Sequence, residues 1–316
     1  LTPIEFESAH ESAWRELEAM LGVAERDRVA DRFLTLYRMC CEHLALAQAR
    51  DFPEHVVARL ARLTAGAHQI IYRQSDFGLR RILTTLLERF PAMVRAERAY
   101  VAVAAVLFLL PALALGLATY LQPDLILSLV DPITASQFES MYDPKAGTIG
   151  RIRGAGTDWA MFGFYIENNI GIAFQCYVTG VLFGLGSIFF LVTNGALIGA
   201  VAGFISARGF GGTFFPFVAT HSAFELTAIV LSGAAGMRVG RAVLLPGRRS
   251  RLAALQFAAR ETSIIVFGAA IMLVIAAVLE AFWSSAAWVA PIAKYTCAAI
   301  FWVLVTLFFL RRPHAT

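Results

Sequence analysis

Charge is scarce in this sequence. Only 16% of its 316 residues are Asp, Glu, Lys or Arg, against about 25% in an ordinary soluble domain. Cysteine is scarce too, with four in all. Cys40 and Cys41 are adjacent on a predicted helix, and Cys176 and Cys297 lie in predicted spans. No CxxC occurs and no disulfide framework is suggested, which leaves buried reduced thiols. The start, LTPIEFESAH, lacks a basic stretch followed by an apolar core, so no cleavable signal peptide is expected. The short alternating segments of a membrane β-barrel are missing. No nucleotide, haem or nucleophile motif is evident, nor a Ser–His–Asp or Cys–His arrangement, so the reading leans away from an enzyme.

What the chain does have is apolar length. It is 58% hydrophobic, with a mean hydropathy of +0.64, and several runs exceed the ~18 apolar residues that span a bilayer. The expected fold class is all-α: a polytopic membrane helical bundle with an N-terminal soluble helical bundle. The net charge is +4. Its basic residues gather at the flanks of the apolar runs, which points to orientation in a membrane rather than to nucleic acid.

Residues 1–98 read as a charged helical region. Thr2-Pro3-Ile4-Glu5 has the form of a capping box with proline at the first helical position. Phe6, Ala9, Ala13, Leu17 and Met20 follow at helical spacing and Gly22 ends the helix. A second helix is predicted from about Asp27 to Arg50, with Phe33, Leu36, Tyr37, Cys40, Leu44 and Ala47 on one face. A third carries Val56, Leu60, Leu63, Ala67 and Ile70. A shorter fourth carries Ile82, Leu86 and Phe90. Together they predict a small antiparallel bundle, expected to be cytoplasmic and to recruit protein partners.

The predicted spans are about 99–121, 162–192, 194–207, 214–236, 262–282 and 288–310. A polar connection, 122–160, joins the first two. The 162–192 stretch is too long for one straight crossing, so a break is expected near Glu167-Asn168-Asn169. The 194–207 stretch is short and glycine-rich, and could be re-entrant. Arg95 and Arg98 precede the first span, Arg238, Arg241, Arg248, Arg249 and Arg251 follow the fourth, and Arg311 and Arg312 follow the sixth. Six crossings put all of these on the cytoplasmic side, with both termini inside and Arg208 as the dissenter. Segment 248–260 is basic and amphipathic, and is expected to lie along the anionic inner leaflet.

Two patterns stand out inside the membrane region. Gly195, Gly199 and Gly203 recur every four residues, as do Gly180 and Gly184. Such rows let helix backbones approach closely, either within one bundle or at a seam between copies of the chain. The second pattern is polar: Glu167, Asn168, Asn169, Gln175, Asn194, His221 and Glu225. His221 and Glu225, at i and i+4 in THSAFEL, share one helix face. Three explanations stand open. The pair joins the amides in a network that fixes helix register. It relays protons or binds a polar solute, as in transporters and channels. Or His221 and Glu225 are two ligands of a divalent metal such as zinc, completed by another helix in an intramembrane metal-dependent enzyme. Glu280 and Lys294 lie near the outer face of one hairpin and read as an ion pair.

The blocks FGFYIENNIGIAF, GVLFGLGSIFFLVTNGALIGAVAG and FFPFVATHSAFELTAIVLSGAAGMRVG closely resemble the stage II sporulation protein M family of integral membrane proteins. FESAHESAWRELEAML and LARLTAGAHQIIYR resemble the soluble region of its longer bacterial members. The family's recurring positions carry over as Asn168, Asn169, Asn194, Gly195, His221, Glu225 and Gly236. The resemblance implies a multi-pass protein of the cell inner membrane that acts as a scaffold for envelope-related complexes. In spore formers the namesake works with a cell-wall hydrolase and another membrane protein during engulfment. The family also occurs in bacteria and archaea that make no spores.

Overall fold

The computed structural model describes residues 2–22, 30–71, 79–146, 157–286 and 288–311. All regular structure among them is helical, and the chain divides into two compact units, Leu1–Arg81 and Ile82–Thr316.

The first unit holds α1 (Pro3–Leu21), α2 (Ala30–Ala49) and α3 (Glu54–Ile71). The Thr2 hydroxyl accepts the Glu5 amide, and the Glu5 carboxylate accepts the Thr2 amide at 2.8 Å, closing the capping box. The core joins Phe6, Trp14 and Leu17 to Phe33, Leu36 and Cys40 of α2 and to Val56, Leu60 and Leu63 of α3. The buried face of α1 is rotated from the expected stripe. Ala9 is exposed, and Trp14 is completely buried. An indole buries far more apolar area than an alanine methyl. Its N–H also finds a partner inside, donating to His43 Nδ1 at 3.0 Å. Of the second helix predicted from Asp27, residues 27–29 lie outside the described residues.

The predicted boundary at residue 98 is corrected. Residues 82–98 belong with the second unit. After α4 (Leu79–Thr84) and a π-helical turn, Thr85–Arg89, comes α5 (Phe90–Ala96). Phe90 and Val94 of α5 are buried among Ala269, Met272 and Leu273. The Phe90 ring lies so close over Gly268 that a Cβ there would stand 2.5 Å from it. The missing side chain of Gly268 makes room for the Phe90 ring.

The second unit continues with α6 (Arg98–Leu121), a 3-10 turn (Pro123–Ser128), α7 (Pro132–Tyr142), α8 (Thr157–Val178), a second 3-10 turn (Thr179–Val181) and α9 (Leu185–Ala207). Then follow α10 (Gly211–Leu244), α11 (Arg251–Val278), a π-helical continuation of α11 (Leu279–Ser284) and α12 (Pro291–Leu310). Five of these helices are long and apolar enough to cross a membrane: Arg98–Leu121, Leu185–Ala207, Gly211–Leu244, Arg251–Ser284 and Pro291–Leu310. α8 has 22 residues but carries Asp158, Glu167, Asn168 and Asn169, and is not among the five. The chain is an all-α polytopic membrane bundle. α10 is its hub, packing against α6, α8, α9, α11 and α12. α6 and α12 turn many large apolar side chains outward, among them Leu110, Leu113, Ile292 and Leu307, as a lipid-facing surface requires.

Three sequence expectations are corrected here. α8 runs unbroken through Glu167-Asn168-Asn169, and the chain turns at residues 179–184 instead. Polar side chains do not break a helix whose backbone bonds are intact. The chain turns where Phe183 and Gly184 take positive φ, and Gly184, at +84°, is the N-cap from which α9 starts. Residues 194–207 are accordingly no separate or re-entrant span but the second half of the 23-residue α9. Residues 251–260 are the first turns of α11, with Ala254 and Ala258 packed on Val239 and Ala242 of α10, so no distinct helix lies flat there.

The glycine rows line the seams of this unit. A Cβ added at Gly195, Gly199 or Gly203 of α9 would run into the carbonyl of Phe108, Ala112 or Gly116 of α6, respectively. Both sets rise together along the chain, so α6 and α9 run parallel. Gly180 meets the backbone of Gly236, and Gly184 that of Gly240, which seats the turn before α9 against the second half of α10. Thr119, fully buried, holds its hydroxyl 2.8 Å from the Ala200 carbonyl and 2.8 Å from Leu115 of its own helix.

Candidate functional site

α10 brings two polar residues, His221 and Glu225, to one face, since they are one turn apart. His221 is 4% exposed. Its Nδ1 lies 3.0 Å from Ser284 Oγ, and its Nε2 lies 3.6 Å from Glu225 Oε2, beyond hydrogen-bond length. Ser284 comes from the π-helical end of α11, and the same turn supplies Glu280, 9% exposed. The ligating atoms of His221, Glu225 and Glu280 all lie within 4.8 Å of one another. Lys294, in the first turn of α12 and 1% exposed, donates its ammonium to the Ser284 carbonyl at 2.7 Å.

π turns are rare and recur at functional sites. Here the turn sets two residues four apart, Glu280 and Ser284, toward the same histidine. Glu280 and Lys294, read from sequence as a hairpin ion pair, both stand in this cluster. Glu280 faces His221 and Glu225, and Lys294 caps the backbone of Ser284. Sequence reasoning missed Glu280 and Ser284 as neighbours of His221. Nothing in their spacing announces the extra residue that the π turn inserts.

The amides do not converge on this pair. Asn168 donates to Asn169 at 2.9 Å, and Asn194 donates to the Phe190 carbonyl of its own helix at 2.7 Å. Glu167, Asn168 and Gln175 are exposed. Asn169 is 3% exposed, and its Nδ2 has no hydrogen-bond partner among the described residues. The asparagines expected to join His221 and Glu225 in a register-fixing network bond within their own helices instead.

Above the cluster, α7 and the turn before it cover the ends of α9 and α10. Asp131 caps α7, accepting the amides of Ile133 and Thr134 at 3.0 Å. Those bonds and the Thr134 hydroxyl, its strongest partner, hold the Asp131 carboxyl below its ordinary value. Ile126, Ala135 and Tyr142 pack on Phe204, Phe214 and Phe217. Arg208, the dissenter in the charge pattern, pairs with Glu139 at 2.6 Å and lies over the Phe204 ring. Trp159, Phe162 and Phe282 gather at this end as well, the placement that interfacial aromatics favour.

At the other end of α10, Arg238 reaches Glu97 at 3.0 Å and Glu261 at 3.5 Å. Arg241, Arg248, Arg249 and Arg251 are exposed nearby in sequence, and Arg249 lies over the Phe257 ring. Arg311 is described, and Arg312 lies outside the described residues. A cavity of about 600 Å³, lined by Phe90, Met272, Val305, Phe308 and Phe309 with Arg311 at its rim, is almost wholly apolar.

A family model described as Stage II sporulation protein M matches residues 100–285, which spans α6 through the π turn that carries Glu280. A second, described as a domain of unknown function (DUF8413), matches residues 4–73. No curated protein and no solved structure matches the chain.

Proposed function

The chain belongs to the stage II sporulation protein M family, and from that premise we propose that it scaffolds the assembly of envelope-related complexes in the cytoplasmic membrane. The observation that carries this reading is the build of the membrane unit. Its α6–α9 seam and the seat of residues 180–184 on α10 are backbone-to-backbone contacts with no room for a methyl group. A bundle closed this tightly suits a rigid platform, and packing of this kind transmits position without opening a path. The separate α1–α3 bundle, matched by its own family model, suits a module that recruits protein partners.

The reading includes a topology of six crossings. Parallel α6 and α9 require the chain to return between them, and α8 has the length to do so. Arg95, Arg98, Arg238, Arg241, Arg248, Arg249, Arg251 and Arg311 then share the cytoplasmic side with both termini. Arg208 stands on the outer side, neutralised by Glu139. Cysteine accessibility at residues 145 and 248 tests this: labelling of 145 from outside and 248 from inside is the expected result.

In-cell crosslinking of the full chain, followed by mass spectrometry, tests the scaffold role. Recovery of a reproducible set of envelope proteins, reduced by charge reversals on the α1–α3 surface, is expected. Recovery of none, with the purified protein moving a solute in proteoliposomes, would overturn it. A transporter or channel is the second reading, favoured by the buried His221–Glu225–Glu280 group. It requires a flux that Glu225→Gln abolishes.

A further inference from the structure

We propose that His221, Glu225 and Glu280 bind a divalent transition-metal ion between α10 and the π turn of α11. The site is independent of the scaffold reading.

Four observations carry the inference. One imidazole nitrogen and two carboxylate oxygens, from two helices far apart in sequence, converge within 4.8 Å of one another. In a tetrahedral zinc site, ligand atoms about 2.0–2.2 Å from the ion stand roughly 3.4 Å apart, so each atom here needs to move inward by on the order of 1 Å. Second, the imidazole is already oriented. Nδ1 lies 3.0 Å from Ser284 Oγ, and in the tautomer that donates Nδ1–H to that oxygen the lone pair of Nε2 is turned toward the carboxylates. Metal-ligating histidines are held in this way, by a hydrogen bond from the nitrogen that does not bind the metal. Third, at 3.6 Å the Nε2 and the Glu225 oxygen face each other too far apart for a hydrogen bond, leaving space between two electron-pair donors. Fourth, His221 and Glu280 are at least nine-tenths buried, and they are brought together by a π turn that an ordinary helix end would not need.

The donor set selects the class of ion. Imidazole suits zinc, iron, copper and nickel, while carboxylates suit manganese and the harder ions. One imidazole with two carboxylates fits a first-row divalent ion, with zinc and manganese as the probes. Ser284 is a positioning residue, and Lys294 holds the carbonyl of Ser284 in place at 2.7 Å.

The test uses the full chain in detergent with any affinity tag removed. It is equilibrated with zinc or manganese and desalted, and the metal per chain is measured by elemental analysis. About one ion per chain is expected in the wild type, as for a single three-ligand site. The ion should be lost in His221→Ala and Glu280→Gln and kept in Glu167→Gln and His10→Ala. Ser284→Ala should bind roughly ten- to a hundredfold more weakly. A wild type that retains neither metal overturns the proposal and leaves the cluster to protons. So does a Glu280→Gln variant that holds the ion as the wild type does. Where a variant fails to fold, titration of the wild type with cobalt decides. A saturable visible absorption band displaced by zinc supports the site, and its absence overturns it.

Discussion

α10 carries a polar group toward each end, and the two are built from nearly the same parts. At the basic end, Arg238 meets Glu97 and Glu261. At the other, His221 meets Glu225 and Glu280. Seventeen residues separate Arg238 from His221, roughly 25 Å of helix. Each group sets a base of α10 against two acids: Glu97 and Glu261 lie on neighbouring elements, whereas Glu225 is on α10 itself and Glu280 on the end of α11. The difference lies in the base. A guanidinium is always charged and fills the space between carboxylates with its own N–H bonds. An imidazole is ordinarily neutral and presents a lone pair. The first group is therefore complete in itself and ties three helical segments together, while the second gathers donors around a gap. Similar composition thus gives a clasp at one end and a receptacle at the other.

The largest effect should come from breaking the packing that both groups depend on. Gly199→Leu drives a side chain into the Ala112 carbonyl and should cost about 3 kcal/mol, the upper range for overpacking. Thermal unfolding and size-exclusion profiles in detergent read this, and an unchanged profile would mean that α6 and α9 are not so closely paired. Next comes the contrast between the ends. Removing a bound ion with a chelator should lower wild-type stability by about 2.7 kcal/mol relative to a free concentration a hundred times Kd. Added salt should barely matter there. The loss on Arg238→Ala should behave the opposite way, shrinking with added salt and equal with and without chelator. It should be about 1 kcal/mol, because the paired side chains keep 14% to 37% exposure and are partly screened. If salt and chelator act alike on both ends, the distinction between them fails.

The smallest effect concerns a histidine with one neutral partner. Burial, with nearby His10, holds His43 below its ordinary value, and its Nδ1 accepts the Trp14 indole N–H. A base depressed in the folded state contributes stability that is whole above its unfolded value, about 6.5. That stability is lost as the pH falls toward the folded value. Amide protection in α1 and α2, taken relative to the intrinsic exchange rate at each pH, should therefore be weaker at pH 5.5 than at pH 7.5, and His43→Leu should flatten the difference.

Much of the fold could be read from the chain because lipid imposes simple rules. Helices are the economical way to span hydrocarbon, so long apolar runs translate directly into α6, α10 and α12. The capping box at Thr2 is local chemistry and was equally plain. What was hidden depends on rotation and register. Polar Glu167 and Asn168 suggested a break, yet they sit on an exposed face and leave the helix intact, while Gly180 and Gly184, read as packing, mark the turn. Trp14 escaped the stripe on α1 because an alanine at the neighbouring phase satisfied the pattern. Glu280 escaped the site because the π turn shifts phase by one residue beyond any regular period. His221 and Glu225 were legible as a pair, and their third companion was not.

The parallel seam between α6 and α9 repeats itself. Gly195, Gly199 and Gly203 stand on Phe108, Ala112 and Gly116, each set stepping by four residues. Sliding one helix by a single step, about 6 Å, would set Gly199 on Phe108 and Gly203 on Ala112. Two of the three rungs would be filled again. A ladder of equal rungs does not number itself except at its ends. The same slip would set Ala207 on Gly116, where a Cβ at the present Gly203 stands 2.0 Å from the carbonyl. A slip the other way would set Leu191 on Phe108, where even a methyl group has no room. The row of glycines lets the two helices meet, and its length decides where.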